Sequence, residues 1–141
     1  MMISDYLVNT VKRHEGWRGH PYMDSRGFQT VGFGCRFPLT KEEGEIILRR
    51  RLHEKQQGLE IALSRIGMDF TALPEAVRDT LSEMAYQMGV QGTMSFRKML
   101  AAIADEDWET AVKEAYSSRW YKQTPARVDA VMERMRLLYE A

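Results

Sequence analysis

Disulfide bonds, net charge and long apolar segments are all missing from this chain of 141 residues. The single cysteine, Cys35, excludes an intrachain disulfide, so packing must hold the fold together, which suits a reducing compartment. The 20 Lys and Arg residues are balanced by 20 Asp and Glu residues, so bulk charge gives no support to nucleic acid as a partner. An anionic polymer would have to be held by a local patch of positive charge.

The N-terminal residues MMISDYLVNTVKRHE contain no apolar run of the length that a secretory signal or a membrane anchor requires. We therefore expect no membrane insertion, and we expect release from the producing cell to depend on another factor. The composition, 44% hydrophobic, is that of a globular protein. A chain of this length favours one domain, or two lobes that share a core.

The first quarter of the chain combines a helix with short strands. Ser4 is suited to cap a helix over 3–14. The apolar face of that helix would consist of Leu7, Val8 and Val11. Residues 20–37 are rich in aromatic residues and glycine, which predicts a small antiparallel sheet. Within it, Ser25-Arg26-Gly27 predicts a hairpin connection.

A long helix is predicted next. Thr40 and Glu43 have the spacing of a capping box, which opens a helix over 41–66. A narrow apolar stripe between charged faces is typical of a helix that bridges two lobes. The stripe consists of Leu48, Leu52, Leu59, Leu63 and Ile66.

Helices account for the rest of the chain. Residues 74–88 have an apolar face, and Gly89 to Thr93 is predicted to be a loop. Further helices are predicted at about 95–104, after Asp105 or Asp107, and after Thr124-Pro125. The C-terminal two-thirds is therefore predicted to be a helical bundle, and the fold class is α+β.

Two carboxylates and a hydroxyl stand out in the glycine-rich stretch 15–34. Eight residues separate Glu15 from Asp24, and five separate Asp24 from Thr30. Such a set is suited to acid/base chemistry on a bond held between the carboxylates. Glu15 would end the first helix, where the helix dipole raises the pKa of a carboxylate, whereas the cations just before it oppose this effect. A helix-end charge and a turn aspartate without a catalytic role would show the same spacing.

Other chemistries fit the sequence less well. His14-Glu15 resembles the start of a zinc motif, but His20 lies six residues from His14 rather than four, and the glycines between them would break the helix. Cys35 has no histidine close in sequence to activate it. We therefore predict neither a metal nor another cofactor. Four aromatic side chains could stack on sugar rings, although core positions suit all but the last of them better: Trp17, Tyr22, Phe33 and Tyr86.

Three blocks of the sequence together carry a family resemblance. The first is Glu, eight residues, Asp, five residues, Thr and Gly-x-Gly, formed here by Glu15, Asp24, Thr30, Gly32 and Gly34. The second is AYQMG at 85–89, and the third is SRWYKQTPAR at 118–127. In this order and over nearly the whole chain, the blocks resemble the lysozymes of T-even bacteriophages, which belong to glycoside hydrolase family 24.

The resemblance implies a single lysozyme-like domain over 1–141 with two lobes. A small lobe at about 15–60 would hold the hairpin sheet. The long helix would join it to a helical lobe at about 67–141, and the N-terminal helix, 3–14, would pack with the helical lobe.

The resemblance also implies an activity, that of a muramidase. Such an enzyme hydrolyses the β-1,4 bond between N-acetylmuramic acid and N-acetylglucosamine in peptidoglycan, and the family is taken as inverting. Glu15 would be the general acid, Asp24 would position or activate water, and Thr30 would help to hold that water. Inversion requires the two carboxyl groups to lie roughly 6.5–9.5 Å apart.

Further positions follow from the same resemblance. Arg127 matches the arginine that pairs with the catalytic glutamate, and such a pair would lower the pKa of Glu15. The implied substrate-binding or supporting positions are Gly34, Tyr86, Gln87 and Arg127. The chain departs from the pattern in having Cys35 where many members have histidine, in its zero net charge, and in the short loop predicted at 90–94.

A phage or prophage endolysin of this kind is expected to be a monomer whose partner is peptidoglycan. It would stay in the host cytoplasm until a holin releases it to the periplasmic cell wall, where lysis of the bacterium follows. Two alternatives stay open. One is a lytic transglycosylase on the same substrate, and the other is a non-catalytic module that binds the cell wall or serves in a phage tail.

Overall fold

Within residues 2–140, the part of the chain that a computed structural model describes, three short strands lie near the N-terminus and helices make up most of the rest. This arrangement confirms the predicted α+β class. The elements are α1 (Asp5–Glu15), β1 (Arg18–Met23), β2 (Gln29–Gly32), β3 (Cys35–Arg36), α2 (Lys41–Ser64), a 3-10 turn (Phe70–Ala72), α3 (Glu75–Met94), α4 (Arg97–Ala104), α5 (Trp108–Tyr116), α6 (Arg119–Gln123) and α7 (Pro125–Arg136). No helix among these residues is both long and apolar enough to cross a membrane.

The chain divides into two compact units, a first unit Met1–Ile46 and a second unit Ile47–Ala141. The first unit contains α1 and the whole sheet, and the boundary falls inside α2. The lobe boundaries expected from the sequence, and the packing of the N-terminal helix with the helical lobe, stay predictions.

The sheet is antiparallel throughout, in the order β1-β2-β3. Its β1–β2 connection is the predicted hairpin, because the Asp24 N–H donates to the Phe28 carbonyl at 2.9 Å and the Gly27 N–H donates to the Asp24 carbonyl at 3.0 Å. Gly27 has φ +84°, a left-handed value that a residue without a Cβ adopts at little cost. In the resulting register Thr30 lies between Tyr22 on β1 and Arg36 on β3.

Both predicted helix caps are confirmed. Ser4 Oγ accepts a hydrogen bond from the Leu7 N–H at 3.1 Å, which satisfies one of the free donors at the start of α1. At the start of α2 the Thr40 N–H donates to Glu43 Oε1 at 2.9 Å, and the Glu43 N–H donates to Thr40 Oγ1 at 3.1 Å. These reciprocal bonds are the capping box that the sequence predicts.

The hydrophobic core lies in the second unit. It is formed by the C-terminal half of α2 together with the helices that follow it, and methionines fill much of it. Its largest completely buried apolar side chains are Leu59, Leu63, Val77, Leu81, Met84, Met99, Ile103, Val128, Met132 and Met135.

Only part of the apolar stripe predicted on α2 is buried. Leu59 and Leu63 are completely buried, whereas Leu48 is 39% exposed and Ile66 is 56% exposed. The buried pair follows the point where α2 approaches α3, at which Gln56 Nε2 donates to the Ser82 hydroxyl at 3.0 Å. The stripe is therefore buried where a second helix covers it and partly open to solvent elsewhere.

The loop predicted at Gly89 to Thr93 is wrong. Gly89 does leave the helical conformation, with φ 84° and ψ 164°, but the break lasts a single residue and α3 continues to Met94. The buried Thr93 hydroxyl donates to the Gly89 carbonyl at 2.9 Å, so this buried polar group has its partner within the same helix. Gly89 therefore marks a kink rather than an end.

Burial on α2 predicts very different costs for two substitutions on the same helix. Leu63→Ala removes a completely buried side chain, and we expect it to lower the free energy of unfolding by about 2–5 kcal/mol. Ile61→Ala is the matched control, because Ile61 is 56% exposed, and we expect a change of about 0.5 kcal/mol or less. Urea unfolding of both variants measures the difference, and equal losses would contradict the core described above.

Candidate active site

Glu15 is the last residue of α1. The helix stops there because Gly16 has φ 73° and ψ 159°, while the Gly16 N–H still donates to the Lys12 carbonyl at 2.9 Å. The side chain is exposed within a turn that carries Lys12, Arg13 and His14. The placement of Glu15 at a helix C-terminus is therefore confirmed.

The Glu15 carboxyl group occupies the space that a side chain at Gly34 would need. A Cβ built on Gly34 would lie 2.5 Å from Glu15 Oε2 and 2.8 Å from Glu15 Cδ, far inside contact distance. Gly34 also has φ +71°, which favours glycine. The turn between β2 and β3 thus holds the carboxyl group of Glu15 against bare backbone.

Asp24 lies directly after β1 and accepts three hydrogen bonds. Its Oδ1 accepts from the backbone N–H groups of Arg26 and Phe28, each at 2.9 Å, and its Oδ2 accepts from Arg36 Nε at 3.2 Å. The Phe28 N–H, followed by the Arg26 N–H and the Arg36 guanidinium, lowers the pKa of Asp24 against the opposing effect of desolvation. Asp24 is therefore held in its ionised form.

Thr30 is the one site residue with a buried side chain, at 2% exposure. It lies on β2, and its hydroxyl donates to the Phe28 carbonyl at 2.9 Å. The hydroxyl proton therefore points at the Phe28 carbonyl, and the lone pairs of Thr30 Oγ1 can accept a hydrogen bond from another donor.

The structure places the three predicted residues around β2. Asp24 lies at the turn that leads into β2, Thr30 lies on β2, and Glu15 lies over the turn that leaves β2. All three belong to the first unit. Their arrangement joins an ionised carboxylate, a buried hydroxyl and a second carboxyl group around a single strand.

Two other predicted positions, Tyr86 and Arg127, meet in the second unit. Both line a cavity of about 390 Å³, together with Glu83, Ser82, Leu48 and Leu52. Tyr86 is 41% exposed, in agreement with its prediction as the aromatic residue least suited to the core.

Within the second unit, Arg127 pairs with a residue that the sequence analysis missed. Its Nε donates to Glu83 Oε1 at 3.0 Å. Glu83 precedes Gln87 by four residues on α3, so helical periodicity could have placed it on the face of the predicted positions. The pair predicted between Arg127 and Glu15 stays a prediction.

Gln87 links two of the sequence blocks by hydrogen bonds. Its Oε1 accepts from the Trp120 indole N–H at 2.9 Å, and its Nε2 donates to Thr124 Oγ1 at 3.2 Å. Trp120 is 3% exposed, so its N–H needs a protein acceptor. Gln87 therefore has a structural role that its prediction as a substrate-binding or supporting residue did not specify.

Trp17 is not a core residue, and the prediction that a core position suits it better is wrong. It is 67% exposed, and its indole lies about 3.6 Å from the positions that side chains at Gly19 and Gly32 would take. The Trp17 and Phe33 rings lie 5.1 Å apart, centroid to centroid. Two glycines thus support an indole that remains open to solvent.

A metal centre finds no ligand set in the described part of the chain. Among residues 2–140, no group of three or more His, Cys, Asp or Glu side chains is placed to hold an ion. Cys35 is exposed and unpaired with another cysteine.

This chain is similar to proteins named as lysozymes, as a peptidoglycan hydrolase and as a phage spike protein. The family described as phage lysozyme matches residues 12–136. The pre-baseplate central spike protein Gp5 of Enterobacteria phage T4 is 29% identical, over 89% of this chain and 26% of that protein. The probable T4-type lysozyme 1 of Dictyostelium discoideum is 26% identical, over 89% of this chain and 91% of that protein. The peptidoglycan hydrolase gp36 of Pseudomonas phage phiKMV is 28% identical, over 86% of this chain and 14% of that protein.

The relatives fall into two groups, proteins several times longer than this chain and a protein of about the same length. It spans 26% of the length of the T4 spike protein and 14% of the phiKMV hydrolase, but 91% of the Dictyostelium lysozyme. The similarity to the larger proteins concerns one segment of each.

The contact between Glu15 and Gly34 predicts that Gly34→Ala displaces the catalytic candidate. The new methyl group would overlap the Glu15 carboxyl group, which moves because it ends a flexible side chain. We expect the fold to persist with a loss of about 1–2 kcal/mol from the left-handed backbone. A crystal structure of the variant would show the displaced Glu15 side chain.

Gly67→Ala is the control for that substitution. Gly67 has φ +80° and nothing lies within 4 Å of the Cβ position, so it has a similar backbone cost without displacing any side chain. A Glu15 side chain that keeps its position in Gly34→Ala would contradict the contact.

The bonds of Gln87 predict a stability loss when its amide is removed. Gln87→Leu leaves the buried Trp120 N–H without an acceptor, which we expect to cost about 1–3 kcal/mol in guanidinium unfolding. Gln91→Leu on the exposed face of α3 is the matched control, with an expected change of about 0.5 kcal/mol or less. Similar losses in the two variants would argue against the structural role of Gln87.

Proposed function

The chain belongs to the phage lysozyme family of glycoside hydrolases, and we propose that it is a muramidase that cleaves the β-1,4 bond between N-acetylmuramic acid and N-acetylglucosamine in peptidoglycan. Relatives named as a T4-type lysozyme and a peptidoglycan hydrolase support the substrate class. The observation that carries the proposal is the shared contact with Phe28: Asp24 accepts the Phe28 N–H, and the buried Thr30 hydroxyl donates to the Phe28 carbonyl. Glu15 lies against Gly34, in the turn that follows the strand of Thr30.

In the proposed reaction Glu15 is the general acid and a water molecule is the nucleophile. The water oxygen bonds to the anomeric carbon of the muramic acid residue on the face opposite the leaving group, as the bond to the glycosidic oxygen breaks. The Glu15 proton passes to that oxygen, and a proton of the water passes to Asp24. One water is consumed, the anomeric configuration inverts, and proton exchange with solvent restores both carboxyl groups.

The electrostatics of Asp24 support a role in orienting the water. The Phe28 N–H is the chief cause that lowers the pKa of Asp24. The carboxylate is therefore ionised at neutral pH and takes up a proton only at a lower pH than an ordinary aspartate does. An ionised carboxylate also stabilises the positive charge that develops on the sugar ring. Thr30 Oγ1 offers a second acceptor to the same water.

Tyr86 and Arg127, which line one cavity of the second unit, complete the proposal. Tyr86 offers an aromatic face to a sugar ring, and Arg127 offers guanidinium N–H groups beyond the one that Glu83 accepts. We assign both to substrate binding. The two carboxylates and a water perform the chemistry without a metal or an organic cofactor.

Two other functions remain candidates. A lytic transglycosylase would use a single acid and no water, so its products would carry anhydromuramic ends. The alternative of a module that serves in a phage tail rests on one observation, the similarity of this chain to a segment of a T4 pre-baseplate central spike protein. The location before lysis in the host cytoplasm, the release by a holin and the monomeric state also belong to the proposal.

Glu15→Gln tests the proposal directly, because the amide keeps the shape of the acid but cannot donate its proton. We expect loss of activity on the order of a thousandfold or more, measured as reducing ends released from purified peptidoglycan, with an unchanged fold. Glu42→Gln, an exposed glutamate in the first turn of α2, is the matched control with activity close to that of the unaltered protein.

Product analysis separates the candidates. Mass spectrometry that shows reducing muramic acid ends, with NMR that shows the inverted anomer first, is the expected result. Anhydromuramic ends would assign the transglycosylase, and binding to peptidoglycan without any new ends would assign the non-catalytic module. Full activity of Glu15→Gln would remove Glu15 from the mechanism.

A further inference from the structure

Arg36 is the side chain that the family resemblance does not explain and that touches the proposed site. It lies on β3 directly opposite Thr30, and its Nε donates to Asp24 Oδ2 at 3.2 Å. The Arg36 side chain is 48% exposed and the Asp24 side chain 19% exposed. An exposed ion pair of this kind contributes little to stability in general, so its geometry needs another reason.

The stacking of Arg36 on Phe28 restricts the direction of its guanidinium group. The guanidinium carbon lies 4.4 Å from the centroid of the Phe28 ring. Phe28 also donates its backbone N–H to Asp24 Oδ1. Phe28 therefore contacts both partners of the ion pair, Arg36 through its ring and Asp24 through its backbone N–H. A planar guanidinium group stacks on an aromatic ring better than an ammonium group does.

The acceptor positions of Asp24 show what the ion pair accomplishes. An ionised carboxylate has about four lone-pair positions, two on each oxygen. The N–H groups of Arg26 and Phe28 occupy the two lone-pair positions of Oδ1, and Arg36 Nε occupies one of the two positions of Oδ2. A single position remains, on Oδ2, and Arg36 decides which of the two it is.

We propose that Arg36 is a positioning residue for the hydrolysis: it turns the Asp24 carboxylate so that the last acceptor position of Oδ2 receives the attacking water beside Thr30. This inference rests on the proposed function and deepens it. Asp24 keeps its catalytic role, and Arg36 acts through Asp24 without touching the substrate. The charge of Arg36 and the bond from its Nε are separable contributions, because lysine keeps the first and loses the second.

Three variants separate the contributions. Arg36→Met removes the charge and the bond but keeps an unbranched apolar side chain over Phe28. Arg36→Lys keeps the charge alone. Lys41→Met is the matched control, since it removes one positive charge from an exposed position of the same unit, at the start of α2.

We expect kcat on peptidoglycan chains to fall on the order of tenfold to a hundredfold in Arg36→Met, with KM nearly unchanged, because misorientation of a catalytic group affects the transition state. Arg36→Lys should lose severalfold in kcat, and Lys41→Met should behave like the unaltered protein. The acid limb of the pH profile should move to higher pH in Arg36→Met, which loses both the charge and the hydrogen bond, and should move less in Arg36→Lys, which loses only the hydrogen bond. The direction follows because the Arg36 charge lowers the pKa of Asp24, so its removal raises that pKa.

A second measurement does not need activity. NMR titration of the Asp24 carboxyl carbon in a Glu15→Gln background should show a higher pKa of Asp24 when Arg36→Met is added and no change with Lys41→Met. Arg36 is the charged side chain that acts on Asp24 here, and Arg26 contributes its backbone N–H.

The outcomes are distinct from those that test the proposed function. An unaltered protein without hydrolytic activity overturns the proposed function, whereas an active protein whose Arg36→Met variant keeps kcat and pH profile overturns only the role of Arg36. A lower melting temperature of Arg36→Met with normal kcat would assign a purely structural ion pair and equally overturn it. If Arg36→Met fails to fold, Arg36→Lys decides, because unchanged kcat there contradicts a role for the Nε bond.

Discussion

Two backbone N–H groups of one tight turn donate to a single oxygen of Asp24, and the pairing of the strands on either side of the turn depends on that contact. The bonds from Arg26 and Phe28 close the hairpin, and the closed hairpin sets the register that places Thr30 on the adjacent strand. The same bonds stabilise the negative charge of Asp24, since N–H donors favour the ionised carboxylate. The same two hydrogen bonds therefore form the turn and favour the charged form of the candidate catalytic group.

Local sequence rules predicted the features that depend on near neighbours. The capping box at Thr40 and the hairpin after Asp24 involve residues three or four apart, so composition and spacing were sufficient. The partners Arg36 and Glu83 could not be read in the same way. Arg36 reaches Asp24 only through the register of a third strand, and Glu83 meets Arg127 only when α3 and α7 pack. Gly89 is a local stop signal that did not end the helix: the backbone leaves the helical conformation there for one residue, and the helix then continues to the buried Thr93 and Met94.

The second and third sequence blocks form one hydrogen-bonded assembly, although Gln87 and Trp120 are 33 positions apart. Gln87 accepts from Trp120 and donates to Thr124, the residue that precedes α7. Because α7 carries Arg127, the glutamine on α3 helps to fix the helix that presents the guanidinium. A short motif that resembles a substrate contact is here also part of the support for another predicted position.

The exposure of Trp17 has a spectroscopic consequence. Its indole is 67% exposed in the first unit, whereas Trp120 is 3% exposed in the core of the second unit. A dissolved quencher therefore reaches Trp17, two residues from Glu15, far more readily than Trp120, and the third tryptophan, Trp108, is half-buried. Quenching of the exposed indole thus reports on the surroundings of the candidate general acid, whereas the buried indole of Trp120 reports on the core of the second unit.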